Sequence, residues 1–245
     1  MTDLLYMQDF DVEHCEATVE AVRDTEDGRV AIMLDRTCFY ARGGGQDWDQ
    51  GTISSGEAVF RVEEVRLDEA GVAHHIGSFE SGRLAPKDHV VCQVDYDRRR
   101  INTRLHSAGH VIDMAIDRLG LDWVGGKGQH YPHLSAVEYT GTWQPEQAEP
   151  LRAAIERKAN ELIGQGIENT IRFMPPEQMH TVCRHVPENL PKNKPGRVVI
   201  YGDDFGVPCG GTHVRSLDQV GAIRLTKLKE KKGIIRVSYA VDGIN

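Results

Sequence analysis

The chain has 245 residues, of which 40% are hydrophobic and 27% charged, with a formal net charge of −8. That length allows one large domain or two modest ones with real hydrophobic cores, and the composition excludes long disordered stretches. No apolar run approaches the roughly 20 residues needed to cross a bilayer, and the acidic balance argues against a non-specific nucleic-acid coat. The first residues lack the basic start and apolar core of a signal peptide. Five scattered cysteines, Cys15, Cys38, Cys92, Cys183 and Cys209, make a poor disulfide framework. The expectation is a cytoplasmic protein with no membrane association.

The first hundred residues read as β-rich and punctuated by turns. Ala17–Val22, Val30–Leu34, Ala58–Val62 and Val90–Val94 are short strand-like runs, and Asp27-Gly28, Ser55-Gly56 and Ala70-Gly71 mark turns. Short strands at this spacing predict a small barrel-like β-domain. The character changes near Tyr96. From Arg98 to Leu119 apolar residues recur at helical spacing, and Gly120 stops the run. A strand is expected around Leu134–Tyr139 and a second helix from Pro150 to Ile163. Strands follow at Thr170–Phe173, Arg197–Tyr201, Ala222–Leu225 and Ile234–Tyr239, with a proline-rich polar loop from Pro187 to Pro195. The fold class expected is α+β, with residues 1–95 as the β-domain and 96–245 as an α+β domain.

His106 and His110 lie four apart on the first helix, so both imidazoles point from one face, one turn apart. Gly109 between them weakens the helix, which close approach by another segment would explain. The second half of the constellation is Cys209-Gly210-Gly211-Thr212-His213. Pro208 and the two glycines disfavour a helix, so Cys209 and His213 are expected on a turn entering a strand. One thiolate and three imidazoles form a good zinc donor set. Position 107 is Ser rather than Glu, so the general base of the helical zinc proteases is missing. Zinc here could polarise an ester carbonyl, hold a substrate group or organise the pocket, and the donor set does not choose among them.

His106-Ser107-Ala108-Gly109-His110 followed by Cys209-Gly210-Gly211-Thr212-His213-Val214 resembles the paired motifs of aminoacyl-tRNA editing domains, shared by alanyl- and threonyl-tRNA synthetases and free-standing relatives. The segment Thr37-Cys38-Phe39-Tyr40-Ala41-Arg42-Gly43-Gly44-Gly45-Gln46, then Asp49-Gln50-Gly51, resembles the glycine-rich motif of the alanyl branch. The last strand, with Lys232-Gly233-Ile234-Ile235-Arg236-Val237, resembles that family's ending. Asp47-Trp48 departs from the pattern, where a smaller residue is expected before the acid. With no room for an aminoacylation domain, the chain resembles the free-standing alanyl-tRNA editing proteins (the AlaX family) from about Thr37 to Val241.

That resemblance implies a zinc-dependent hydrolase of mischarged alanine tRNA, with the zinc on His106, His110, Cys209 and His213. A synthetic pocket for alanine rejects glycine by only about 1–3 kcal/mol and an added hydroxyl by about 10²-fold, so serine and glycine need a second check. The resemblance implies substrate-binding roles for Thr37, Gly43, Gly44, Gly45 and Gln46, with Thr37 as the group that reads the serine hydroxyl. It also raises Arg98, Arg99 and Arg100, and more weakly the lysines from 227 to 232, as contacts to tRNA phosphates. Judged without it, both basic runs are ordinary solvated faces. The remaining histidines, His130 among them, read as ordinary surface or hydrogen-bonded residues, and Lys127 as part of a loop. The base that activates water is unassigned: metal, a side chain and the terminal ribose hydroxyl all stay open. The rival readings are a non-catalytic, zinc-stabilised module that binds tRNA or a synthetase, and editing of threonine tRNA.

Overall fold

The computed structural model describes residues 1–187, 190 and 195–244. Residues 188, 189 and 191–194 of the expected proline-rich loop lie outside the described residues. The chain is α+β and divides into two compact units: Met1–Gly43 with Asp47–Arg100, and Gly44–Gln46 with the chain from Ile101 onward.

In the first unit, β1 (Asp3–Leu4) pairs in parallel with β4 (Arg36–Thr37). A closed barrel is built from β2 (His14–Asp24), β3 (Val30–Leu34), β5 (Gly51–Ser55), β6 (Ala58–Leu67), β7 (Ala73–Ser81) and β8 (His89–Val94), in the order β2-β3-β7-β6-β5-β8. The four strand-like runs in the sequence all fall in this barrel; β5 and β7 complete it. Neither advertises itself. β5 has one large apolar residue, Ile53, and β7 begins Ala-His-His, where His75 is fully buried.

Alternation explains most of the barrel core. In β6, Ala58, Phe60 and Val62 point inward, a register shift follows between Val62 and Glu64, and Val65 then takes the inward place. The extra residue of a bulge resets the period of two, which keeps the core face apolar. Ile32, Leu34, Phe39, Ile53, Phe60 and Cys92 are all buried in the same cluster. β3 is buried on both faces: Ala31 and Met33 pack with Ile76 in a smaller cluster of their own.

In the second unit, α1 (Tyr96–Arg118) continues the chain beyond Arg100. β9 (Val124–Tyr131) and β10 (Leu134–Thr140) form a hairpin, then α2 (Ala148–Gly164) precedes β11 (Asn169–Met174), β12 (Gly196–Tyr201) and β13 (Phe205–Pro208). β14 (Ile223–Lys231) and β15 (Ile234–Val241) end the fold. Two antiparallel sheets result, β14-β15-β10-β9 and β11-β12-β13. β12 is the middle strand of its sheet, and Arg197 to Tyr201 are all buried.

An edge strand exposes backbone groups that must be paired or covered. α2 does this for β14: Asn160 accepts from Ile223 N at 2.9 Å and donates to Ile223 O at 2.8 Å. Glu156 accepts from Leu225 N at 2.7 Å, and Arg152 donates to Leu225 O at 2.8 Å. Among the described residues, no helix is long and apolar enough to cross a membrane.

Arg99 is the internal strut of the first unit. Its guanidinium donates to Asp49 Oδ2 at 2.5 and 2.9 Å, to Cys38 O at 2.7 Å and to Val12 O at 3.0 Å. Asp49, fully buried, also accepts from Tyr40 N at 2.7 Å. A buried charge deprived of its partner costs about 3–5 kcal/mol. Asp49→Ala is therefore expected to lower the unfolding free energy by about that amount, read by urea denaturation. A loss under about 1 kcal/mol, the range of exposed pairs, would show that the pair is solvated.

Candidate metal centre

α1 is buried nearly all round from Leu105 to Ile116, so its polar side chains lie inside the unit and must find partners there. His106 and His110 stack with ring centroids 5.2 Å apart, as their spacing on one helix face predicts. The turn after β13 supplies the other two groups. Cys209 therefore leaves a strand rather than entering one, which corrects the sequence expectation: Phe205–Pro208 is the strand, and Pro208 ends it. The turn is pinned by buried Arg197, which donates to Cys209 O at 2.8 Å and Gly211 O at 2.9 Å.

The result is a compact quartet. One ligand atom from each of His106, His110, Cys209 and His213 lies within 4.8 Å of the others. Cys209 Sγ is 3.4 Å from His106 Nε2 and 3.2 Å from His213 Nε2. The other ring nitrogens have polar neighbours of their own. His106 Nδ1 is 2.7 Å from Gln46 Oε1, and His213 Nδ1 is 3.2 Å from the Tyr201 hydroxyl and 3.4 Å from Ser107 Oγ. His110 Nδ1 is 3.6 Å from Asp113 Oδ2, longer than a hydrogen bond.

Burial disfavours charge on all of these groups. It holds His106 and His213 well below the ordinary histidine value, helped by the neighbouring imidazoles, and takes His110 down to about 3. Burial pushes the Cys209 thiol up, opposed by the Gly211 N–H at 3.3 Å and by Arg197. Three neutral imidazoles with free lone pairs and one thiol suit a borderline-soft divalent cation such as zinc. The donor set and its spacing therefore fit a metal.

Beside the quartet lies a cavity of about 650 Å³, within the ordinary range for small-molecule sites. His106, His110 and Cys209 line it, with Asp113, Lys127, His130, Gly44 and Gly45. Asp113 keeps part of its side chain open, yet burial raises it to about 7, while Tyr139 donates to its Oδ1. His130 stacks on His106 at 4.3 Å, and burial lowers it to about 4. Tyr239 must donate its single hydrogen to Leu105 O at 2.8 Å, so His130 Nδ1 donates to the Tyr239 oxygen at 2.6 Å. That leaves His130 Nε2 as an acceptor.

Gly109 has the close neighbour its position called for. A Cβ there would fall 2.5 Å from His130 Cε1 and 3.3 Å from the Tyr239 hydroxyl. Gly45, at φ +75°, accepts from His130 N at 2.8 Å, and a Cβ on it would overlap Gly128 O.

The structure thus groups His106, His110, Cys209 and His213 with Gly44, Gly45 and Gln46. Thr37, Gly43 and the three arginines belong to the first unit. Thr37 is fully buried there. His75 Nδ1 donates to Ile32 O at 2.9 Å, so its Nε2 accepts the Thr37 hydroxyl at 2.8 Å, and Thr37 Oγ1 accepts from Phe39 N. Gly43 O accepts from the Tyr40 hydroxyl at 2.9 Å. Arg98 donates to Trp48 O at 3.0 Å, Arg99 is the strut described above, and Arg100 is exposed.

One expectation is corrected. Lys127 lies in β9 rather than in a loop, because its glycine-rich run pairs with β10. His130 lies on the same strand and in the wall of the cavity. Asp113 was missed although the signal existed: it follows His110 by three residues and His106 by seven, on the same helix face. Arg197 and Thr212 carried no such signal.

The family described as tRNA synthetases class II (A) matches residues 7–98. The second additional domain of threonyl and alanyl tRNA synthetases matches residues 197–238, which include Cys209 and His213. The chain is 31% identical to the alanyl-tRNA editing protein AlaX-M of Saccharolobus solfataricus, over 98% of this chain and 99% of that protein. It is 29% identical to AlaX-L of Pyrococcus horikoshii, over 98% of this chain and 58% of that one. It is 30% identical to an alanine–tRNA ligase of Methanothrix thermoacetophila, over 97% of this chain but only 25% of the ligase. The chain belongs to the family of alanyl-tRNA editing proteins, as its motifs led one to expect.

Metal uptake should depend on pH in one direction. Because the imidazoles are held neutral and the thiol is held protonated near neutrality, the ion must displace about one proton, from Cys209. Apparent zinc affinity is expected to rise about tenfold per pH unit between about pH 6 and 8, measured against a competing chelator. A flat profile would show that no thiol proton is displaced.

Proposed function

We propose that this protein is a trans-editing deacylase, which hydrolyses the ester joining serine, and secondarily glycine, to alanine tRNA. The observation that carries this reading is the metal-type quartet, three of whose members (His106, His110 and Cys209) line a cavity of about 650 Å³, in a chain related over 98% of its length to an alanyl-tRNA editing protein. Zinc on His106, His110, Cys209 and His213 would supply Lewis-acid polarisation of an ester carbonyl or of water.

The chain's own residues supply the rest. Asp113, raised to about 7, holds or releases a proton at Oδ2 near neutral pH, which suits a general acid–base group. His130 Nε2 is a neutral acceptor, able to take a hydrogen from a substrate ammonium or hydroxyl. A site that bonds the serine hydroxyl would leave that acceptor unpaired with alanine, and this is the asymmetry an editing site needs.

Contacts to tRNA phosphate are assigned to exposed cations, despite the net charge of −8. A register shift between Leu225 and Lys227 brings Lys227, Lys229 and Lys231 onto one exposed face of β14, with Lys232 at its end. Of the three consecutive arginines, Arg100 is the exposed one. The setting implied is the cytoplasm, where tRNA is charged.

The test is release of the amino acid from Ser-, Gly- and Ala-charged alanine tRNA, by wild type and His110→Ala. Serine is expected to leave fastest and alanine to be spared. Loss of a metal ligand should slow release by more than the roughly 10–100-fold that losing an outer partner costs. Absence of metal-dependent serine release would sink the enzyme reading in favour of a binding module. Preferential release from threonine tRNA in a parallel arm would reassign the substrate.

A further inference from the structure

Gln46 ends the glycine-rich segment and is wholly buried, although its amide has two donors and two acceptor positions. Its neighbours decide which end is which. The Thr212 backbone N–H can only donate, and it lies 3.2 Å from Oε1, so that atom is the amide oxygen. The same oxygen is 2.7 Å from His106 Nδ1, and an oxygen without a hydrogen requires that Nδ1 carry one. The Gln46 amide nitrogen then donates to Thr212 Oγ1 at 2.9 Å, which pairs with Thr103 Oγ1 at 2.7 Å.

The consequence for His106 is a single tautomer. With hydrogen on Nδ1, a neutral ring has its lone pair on Nε2, the nitrogen 3.4 Å from Cys209 Sγ. The backbone of Gly211 lies against the edge of this ring, and a Cβ there would overlap His106 Cε1 and Nδ1 and sit 3.2 Å from Gln46 Oε1. Helix α1, the 44–46 segment and the Cys209–His213 turn therefore meet at one amide.

We propose that Gln46 is a positioning residue of the metal centre rather than a substrate contact. It presents His106 Nε2 to the ion, and through Thr212 it holds the turn that carries Cys209 and His213. Gly44 and Gly45 line the cavity, whereas the Gln46 side chain is spent on His106 and Thr212. This rests on the metal reading of the quartet. It gives the glycine-rich motif a second duty: it delivers an outer-sphere hydrogen bond of the kind that fixes ring orientation and raises ligand basicity.

The experiment compares the affinity of wild type, Gln46→Leu and Gln46→Glu for zinc alone, by competition with a chromophoric chelator, on samples whose circular dichroism shows them folded. Leucine removes all three bonds, to His106 Nδ1, Thr212 N and Thr212 Oγ1. Glutamate keeps an acceptor for His106 Nδ1, and its second oxygen can accept the rotatable Thr212 hydroxyl. Gln46→Leu is expected to bind zinc about 10–100-fold more weakly, with Gln46→Glu restoring wild-type affinity or better. In the metal-free wild type, nitrogen-15 NMR of the imidazoles should show His106 protonated at Nδ1.

Wild-type affinity in Gln46→Leu would overturn the proposal, as would equal loss in both variants, which would mark a packing role. A His106 ring protonated at Nε2 would overturn it whether or not the leucine variant folds. If wild type binds no zinc, the metal reading falls, and the NMR result still decides whether Gln46 sets the tautomer.

Discussion

A neutral imidazole has one nitrogen to give to a metal and one that must be satisfied elsewhere. Inside a folded unit an unpaired polar group costs about 1–3 kcal/mol, so gathering three imidazoles at one buried point is a problem of outer partners before it is one of ligands. Here the partners come from scattered places, Gln46 for His106 and Tyr201 and Ser107 for His213, while His110 Nδ1 makes no hydrogen bond among the described residues and has Asp113 Oδ2 3.6 Å away. Much of the second unit is arranged around those needs. β12 contributes Arg197 and Tyr201 from a strand that is otherwise core, and α1 turns Ser107 toward both His213 and the Val214 N–H.

The same constraint explains the glycines at the site. Gly109 and Gly211 are places where one chain segment lies directly against a ring from another: His130 against α1, and the Cys209–His213 turn against His106. A side chain at either would push the rings apart. Packing at that closeness makes the quartet a single object, in which strand, helix and turn positions are mutually dependent.

In the first unit, buried polarity serves architecture. The first unit buries Thr37, His75, Asp49 and Arg99, each bonded within the unit. Charge in this protein is thus divided by depth. Arg99 and Arg197 hold backbone carbonyls inside, while the lysines of β14 stay exposed.

The residues themselves determined the class of the fold, the helix bearing His106 and His110, and the second ligand pair at Cys209 and His213. These are local facts: helical spacing puts positions four apart on one face, and proline with two glycines breaks the chain into a turn. They also determined the family, because the glycine-rich segment and the two ligand pairs are strings that can be read without a structure. Strands β5 and β7 were illegible because barrel closure, not hydrophobicity, makes them strands. His130, Arg197 and Thr212 were illegible for a related reason. His130 and Thr212 pair with residues more than a hundred positions away, and Arg197 with backbone carbonyls 12 and 14 positions on, and no periodicity records such pairings. Gln46 shows the division most sharply. Its place in the motif suggested a substrate contact, whereas the fold sets its amide beside His106, 60 positions further along the chain, and the positioning role proposed for it rests on that packing. Local sequence chose the candidate ligands; only tertiary packing chose what holds them in place.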